Sequence, residues 1–538
     1  MTTGTVAESS EVTLISGGPI RTMDGPTTGP SAGSGSVTDT VEVVVVRGAA
    51  IEAVGPRALS RHYPGAPVVD LGGRTLVPGF IDAHNHLSIA ALHPRFGDAT
   101  DVTDHETLVQ AVRRQAAAEP EAGWVRLHGW NDAPTGFSPT RADLDAAEAD
   151  RPVVLAHSSL HQCVASSAAL DALGIGRGTA DPQGGEIRHG ADGSPTGLLV
   201  ERAWSEAHAR SLAAYGDPDQ WADHIATRAR LLAREGIVAV HDAACSPGAE
   251  AVYRTMAGAD ALPISVLAMP HAATLLHNDI GDRLDGPRTG EGDHRLRVGP
   301  VKLFADGGIA IALDVSMGGH RIRHGYVMED LEAGALTAAR AGYRIAIHAI
   351  GNVGIDHAID AFAAVRSALG DDDHRFRLEH AGVSGPAAWH ALAGLDAVGV
   401  VQPGFVEHVG IQSQGVSFDN HDWLAFAGLR DAGVTLAGSS DDPCAPFAPL
   451  WCAERGARRT TSTALAFEPD QAVPLDEWLV AYTAGAAFAG GQERERGRIA
   501  PGLRADFVVL DGIGTTPRVA ETWIAGRLAA TGIDAPAR

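Results

Sequence analysis

Two histidines one residue apart, His84 and His86, close the apolar run Leu76–Val77–Pro78–Gly79–Phe80–Ile81–Asp82–Ala83. Along an extended strand, side chains two residues apart project to the same side. Both imidazoles would therefore leave the C-terminal end of a strand together, and two neutral imidazoles can hold a divalent metal ion. An isolated His-x-His is more often a surface pair, so the downstream residues decide. Lys302 lies inside Val301–Lys302–Leu303–Phe304–Ala305–Asp306. His348 follows Ile347, His380 lies in Leu378–Glu379–His380–Ala381–Gly382, and Asp441 lies in Gly438–Ser439–Ser440–Asp441–Asp442–Pro443. Imidazole, amine and carboxylate at the ends of successive apolar runs form a metal-ligand inventory. A lysine within an apolar strand is costly to bury in its charged form, unless it snorkels to solvent or pairs with Asp306.

The elements that must position these residues follow a repeated cycle of apolar strand and Ala-rich helix, which is an α/β pattern. Eight strands can be assigned. The first ends at His84 and His86, and the others are Ile237–His241, Ile264–Met269, Val301–Ala305, Arg344–His348, Arg375–His380, Ala397–Gln402 and Thr435–Asp441. A TIM-type (β/α)8 barrel places its catalytic groups at the C-terminal strand ends, where these residues stand. Helices are expected over Leu331–Ala341 and Gly354–Leu369. Residues 95–235 separate the first two strands and exceed what one crossover needs, so they are read as an insertion with its own structure. Val12–Leu14, Val41–Val46 and Ala50–Val54 near one end, and Gly502–Leu510 and Val519–Ile524 near the other, are strand-like. Neither group has enough strands to bury a face alone. Residues 1–10 are expected to be disordered and Gly25–Ser36 to form a mobile loop.

The chain has 538 residues, 45% of them hydrophobic and 20% charged, which suits a large globular protein. Its formal net charge of −24 argues against nucleic acid and anionic membrane surfaces as partners. Four cysteines without a CxxC spacing fit neither a disulfide scaffold nor a thiolate zinc site, and a reducing cytoplasm is expected. The N-terminal stretch lacks the pattern of a signal peptide, and no run approaches the ~18 apolar residues of a membrane helix.

Pro78–Gly79–Phe80–Ile81–Asp82–Ala83–His84–Asn85–His86 resembles the first-strand motif of the amidohydrolase superfamily. The later motifs resemble its YtcJ-like branch (amidohydrolase family 3), which includes N-substituted formamide deformylases. The resemblance runs from about Val12 to about Leu528. It implies a barrel over 76–496, a composite β-sandwich domain from 1–75 and 497–538, and an insertion over 95–235 that covers the barrel mouth. In the insertion, Gly129–Trp130, His161, Ala169–Leu170 and Pro195–Thr196–Gly197–Leu198 with Glu201 resemble the branch's phrases, and His161 is implied to bind substrate. The resemblance implies His84, His86, Lys302, His348 and His380 as metal ligands, with Lys302 carbamylated as the related lysine is in part of the superfamily. It implies Asp441, counted back from Pro443, as the residue that moves a proton from water to the leaving nitrogen; Asp442 is the alternative register. His241–Asp242 is read as an outer layer of the site. Asn352 stands where the family usually has aspartate, which leaves that carboxylate's role without a bearer.

The implied activity is hydrolysis of a carbon–nitrogen bond, other than a peptide bond, in a small N-substituted amide that is formamide-like or cyclic. One or two divalent ions, zinc foremost, are implied as cofactors. A small molecule is the expected partner, and a homodimer is left open. A mononuclear heterocycle deaminase and a non-catalytic binding barrel are the alternatives.

Overall fold

The computed structural model describes residues 11–24, 41–132, 136–272, 274–370, 373–512 and 516–532. The expectations for residues 1–10 and for Gly25–Ser36 lie outside these.

The apolar stretch that ends at His86 is two strands, not one. Thr75–Pro78 pairs antiparallel with Phe507–Asp511 of the chain's other end, while Phe80–Asn85 pairs in parallel with Ile237–Cys245. Gly79 joins the two. Its N–H donates to the Asp506 carbonyl at 2.9 Å, and a Cβ there would come within 2.5 Å of the Val238 side chain. Only glycine lets the backbone pass that close.

Two parallel sheets carry the remaining strands. One has the order Leu296–Val298, Ser265–Pro270, Ile237–Cys245, Phe80–Asn85, and the other Val301–Phe304, Ile345–Ala349, Arg377–His380, Val398–Val401, Thr435–Gly438. The sheets are joined through the fourth strand, which begins earlier than the sequence suggests and is broken at Gly299–Pro300. Proline has no N–H for the ladder, so Leu296–Val298 pairs with the third strand and Val301–Phe304 with the fifth. At the other side, His86 N–H donates to the Asp442 carbonyl and Asp441 N–H to the His84 carbonyl, each at 2.8 Å. The chain segments after the first and last of these strands are thereby tied together. The eighth strand is shorter than expected: Asp441, with φ +63°, has already left the extended conformation.

Helices Leu331–Arg340 and Asn352–Leu369 pack between these strands, the latter burying Ile355, Ala358, Phe362 and Val365 at helical spacing. Strands from both chain ends share one core, in which Val44, Val46, Leu76, Phe507 and Val509 are buried together. The segment before the second strand has a six-stranded sheet of its own, with Gly97–Asp98 at one edge and Gly185–His189 at the other. No helix among the described residues is long and apolar enough to cross a membrane.

Candidate metal centre and substrate cavity

His84 ends within the first strand, and His86 stands one residue beyond it, at the start of the short helix Leu87–Ala90. Their rings are nearly perpendicular, with centroids 5.3 Å apart. Each ring commits its Nδ1 elsewhere. His84 Nδ1 donates to Glu379 Oε2 at 2.6 Å, and His86 Nδ1 to the Ala243 carbonyl at 2.8 Å. In a neutral imidazole the other nitrogen is then a lone-pair donor. Both Nε2 atoms face Asp441 Oδ1, at 3.3 Å from His84 and 3.0 Å from His86. The ligand atoms of the three residues all lie within 4.8 Å of one another.

His380 follows the same rule. Its Nδ1 donates to Gln402 Oε1 at 2.9 Å, and Gln402 donates in turn to Ser439 Oγ at 2.9 Å. His348 has a backbone hydrogen bond to Gly307, and its buried Nε2, 3.8 Å from Asp306 Oδ1, has no hydrogen-bond partner among the described residues. The His348 and His380 rings lie 4.5 Å apart, and the His380 and His84 rings 4.8 Å apart. These two histidines therefore adjoin the His84–His86–Asp441 group. Lys302 is 1% exposed, and its Nζ also has no hydrogen-bond partner among the described residues.

The electrostatics favour neutral rings at His84 and His380 beside an anionic carboxylate; at His86 burial pushes the ring down, but the Asp441 hydrogen bond and charge outweigh it and raise it. Burial, reinforced by Lys302, lowers His84 to about 3, and burial lowers His380 to about 4. Burial lowers Lys302 to about 8 against the opposing pull of Glu379 and Asp441. Burial pushes Asp441 upward, but the His86 hydrogen bond and the nearby His84 and His380 outweigh it and hold the carboxyl well below its ordinary range. Lone pairs and a carboxylate that converge in this way repel one another unless they share a cation. The donor set, with the buried and unpartnered Lys302 Nζ and His348 Nε2, fits one or two divalent metal ions.

Glu379 is the residue that sequence reasoning passed over. It is fully buried and ion-paired to the buried Arg377, whose Nε donates to Oε1 at 2.8 Å. Arg377 also reaches the Ala83 carbonyl at 2.7 Å and His241 Nδ1 at 3.0 Å, so His241 stands behind the site. Asp242 accepts from Tyr253 OH at 2.9 Å. Asp82 was equally silent. It accepts from Ser440 N at 2.9 Å and Asn85 Nδ2 at 2.9 Å, and burial raises it to about 7. A carboxylate next to His380 or two residues before His84 is visible in the sequence, but its direction is not. Asp442 turns away from the histidines and pairs with Arg228. Asp306 accepts three backbone N–H groups, from Ala312, Ile350 and Gly351, and so anchors two loops. Asn352 does the same for the hairpin at Asp314, with both its amide atoms on that residue's backbone.

A cavity of about 500 Å³ opens over the histidines, Lys302 and Asp441. Its walls are mainly apolar, with Leu160, Phe304, Ile311, Phe405, Trp423 and Leu424 among them. His161 enters from the insertion with its ring tilted 35° to the His348 ring and centroids 5.2 Å apart, and its Nδ1 lies 2.6 Å from Glu201 Oε2.

The model of a family described as "Amidohydrolase family" matches residues 67–530. The chain belongs to the amidohydrolase family. An N-substituted formamide deformylase of Arthrobacter pascens is 32% identical over 87% of this chain and 90% of its own length. The putative amidohydrolase YtcJ of Bacillus subtilis is 28% identical over 88% and 91%. The crystal structure of an uncharacterized metal-dependent hydrolase from Pyrococcus horikoshii superposes with a TM-score of 0.71 at 21% identity, covering 93% of this chain and 98% of that one. That likeness is one of fold. Membership in the amidohydrolase family gives the His84–His86–Asp441 cluster a hydrolytic context.

Proposed function

We propose that the protein is a metal-dependent hydrolase of a carbon–nitrogen bond, other than a peptide bond, in a small N-substituted amide. The observation that carries this reading is the convergence of His84 Nε2, His86 Nε2 and Asp441 Oδ1 beneath a mainly apolar cavity. We read the two parallel sheets as one (β/α)8 barrel over 76–496, flanked by a composite β-sandwich from 1–75 and 497–538 and covered by the insertion 95–235. Four free cysteines fit a reducing cytoplasm.

His84, His86, His348, His380 and Asp441 would hold the metal, zinc foremost. Lys302 would join them as a carbamate: its uncharged amine bonds to the carbon of carbon dioxide, a proton leaves the nitrogen, and one negative charge is shared by two oxygens. When bound, the metal supplies an acidified water and polarises a carbonyl oxygen. Asp441 would accept a proton from the attacking water and return it to the leaving nitrogen, a general-base and then general-acid role. Glu379 and Gln402 keep the His84 and His380 rings in the Nδ1–H tautomer. The apolar wall receives the nitrogen's substituent and excludes bulk water. The relative named as an N-substituted formamide deformylase supports a formamide-like acyl group.

The test is a screen of formamides, other amides, hydantoins and aminated heterocycles with zinc-loaded protein. Amine and carboxylic acid should appear in equal amounts from an N-substituted amide. Ammonia release from a heterocycle alone would make the protein a deaminase. No turnover of any compound at full metal content would refute the hydrolase reading.

A further inference from the structure

Glu201 is buried to 0% exposure at the end of an insertion strand, in a backbone conformation with φ +50° that is strained for any residue other than glycine. Among the described residues, its side-chain hydrogen bonds go to His161 and to the backbone of Ile309 and Ala310 at the cavity's edge. Oε1 accepts from Ile309 N at 2.8 Å and Ala310 N at 2.9 Å, and Oε2 meets His161 Nδ1 at 2.6 Å. Burial pushes this carboxyl upward, but the His161 ring and the two backbone N–H groups outweigh burial and leave it below its ordinary value. A nitrogen and a carboxylate oxygen 2.6 Å apart need a proton between them. Gly308 N–H also comes within 2.9 Å of Nδ1, but the shorter, charge-assisted contact sets where the ring proton sits. Nδ1 therefore carries the hydrogen. In the neutral ring, Nε2 is left as a lone-pair acceptor on a side chain that lines the cavity.

We propose that the Glu201–His161 pair reads an N–H of the substrate: His161 Nε2 accepts that hydrogen, and Glu201 is the positioning residue that fixes the acceptor tautomer. This rests on the amide reading of the site and narrows it. The favoured class is the amide with a single substituent on nitrogen, which has an N–H to give. An N,N-disubstituted amide leaves the acceptor unpaired against an apolar wall, a mismatch expected to cost about tenfold or more in binding.

The experiment compares N-cyclohexylformamide with N-cyclohexyl-N-methylformamide. Binding to zinc-loaded protein is followed by stopped-flow tryptophan fluorescence, since Trp423 lines the cavity, and turnover is measured in parallel. The wild-type protein should bind the N–H compound about tenfold or more tighter. In Glu201→Gln the amide oxygen can still accept from Ile309 and Ala310, but the amide NH2 donates to Nδ1, so Nε2 takes the hydrogen and becomes a donor. The preference should collapse to within about threefold, although the cavity keeps its shape. His161→Ala should do the same, and it serves if Glu201→Gln fails to fold. A wild-type ratio near one, a ratio that survives both substitutions, or no binding of either compound overturns the proposal. Survival in the isosteric Glu201→Gln would mean that the extra methyl is excluded by shape. An intact, Glu201-dependent ratio without turnover of either compound would sink the hydrolase reading and leave this one standing.

Discussion

Replacing Glu379 by glutamine tests whether the histidine geometry is imposed from behind. The carboxylate holds His84 Nδ1–H at 2.6 Å and is held by Arg377 at 2.8 Å, and all three side chains are buried. Glutamine keeps the volume but loses the charge, so the strongest hydrogen bond that orients a proposed ligand becomes a neutral one, about half as strong. Removing such a partner from a ligating histidine typically weakens metal affinity 10–100-fold, which is about 1.4–2.7 kcal/mol. A second effect must appear in metal-free protein. Arg377 would keep the Ala83 carbonyl and His241 but lose its buried counter-charge, and breaking a buried pair costs about 3–5 kcal/mol. Chelator competition for zinc reads the first effect, and thermal unfolding of metal-free protein reads the second. Zinc affinity within twofold of wild type would refute the orienting role, even if stability fell. Unchanged stability would show that Arg377 does not depend on this carboxylate.

Asp441→Asn should retain its fold and most of its metal, while kcat falls by about three orders of magnitude; Asp442→Asn should instead weaken the Arg228 contact and leave turnover nearly intact, and an exchange of these outcomes would exchange their roles. His84→Ala should fold yet lose much of its zinc and nearly all turnover; full zinc content with unchanged activity would remove it from the site. Reconstitution with zinc in carbon dioxide-free buffer should restore little activity and bicarbonate should restore the rest; an unmodified Lys302 mass in fully active protein would refute the carbamate. Acid should destabilise the metal-free fold through its buried neutral histidines. Burial holds His128 at about 4 and His271 at about 3, and His208 well below its ordinary value. As pH falls below about 6.5, the unfolded chain takes up protons that these rings refuse, so stability present above that pH is lost toward pH 4. A melting temperature that stays level from pH 7 to 4 would contradict this.

The sequence made the strand-end chemistry legible because it is local. An apolar run ending in His-x-His needs no tertiary knowledge, and neither does a lysine inside Val301–Phe304. The break at Gly79 was less legible, since hydropathy continues unbroken from Leu76 to Ala83 while the hydrogen-bonding partner changes from one end of the chain to the second parallel strand. The fourth strand's early start was hidden by Gly299–Pro300, which reads as an end but acts as a joint between two sheets. Glu379, Asp82 and Glu201 each touch a residue or backbone far away in the chain, so no spacing rule reveals them. Asp441 could be placed only by matching its motif. That it faces the histidines while Asp442 faces Arg228 depends on a left-handed backbone turn at Asp441.

The two backbone hydrogen bonds between His84–His86 and Asp441–Asp442 also bear on how the chain is made. His86 and Asp441 are 355 positions apart. At about 5–20 residues per second on a ribosome, roughly 20–70 s pass between the synthesis of one and of the other. Throughout that interval the first strand has no eighth-strand end to bond to, and its histidines have no carboxylate to face. Metal captured early would meet two imidazoles and no Asp441. The complete proposed ligand set would exist only after the strands of both sheets have been synthesised, so metal held by the full set would report that the chain has passed Asp441. A nascent chain released before Lys302 should hold zinc no better than a His-x-His peptide.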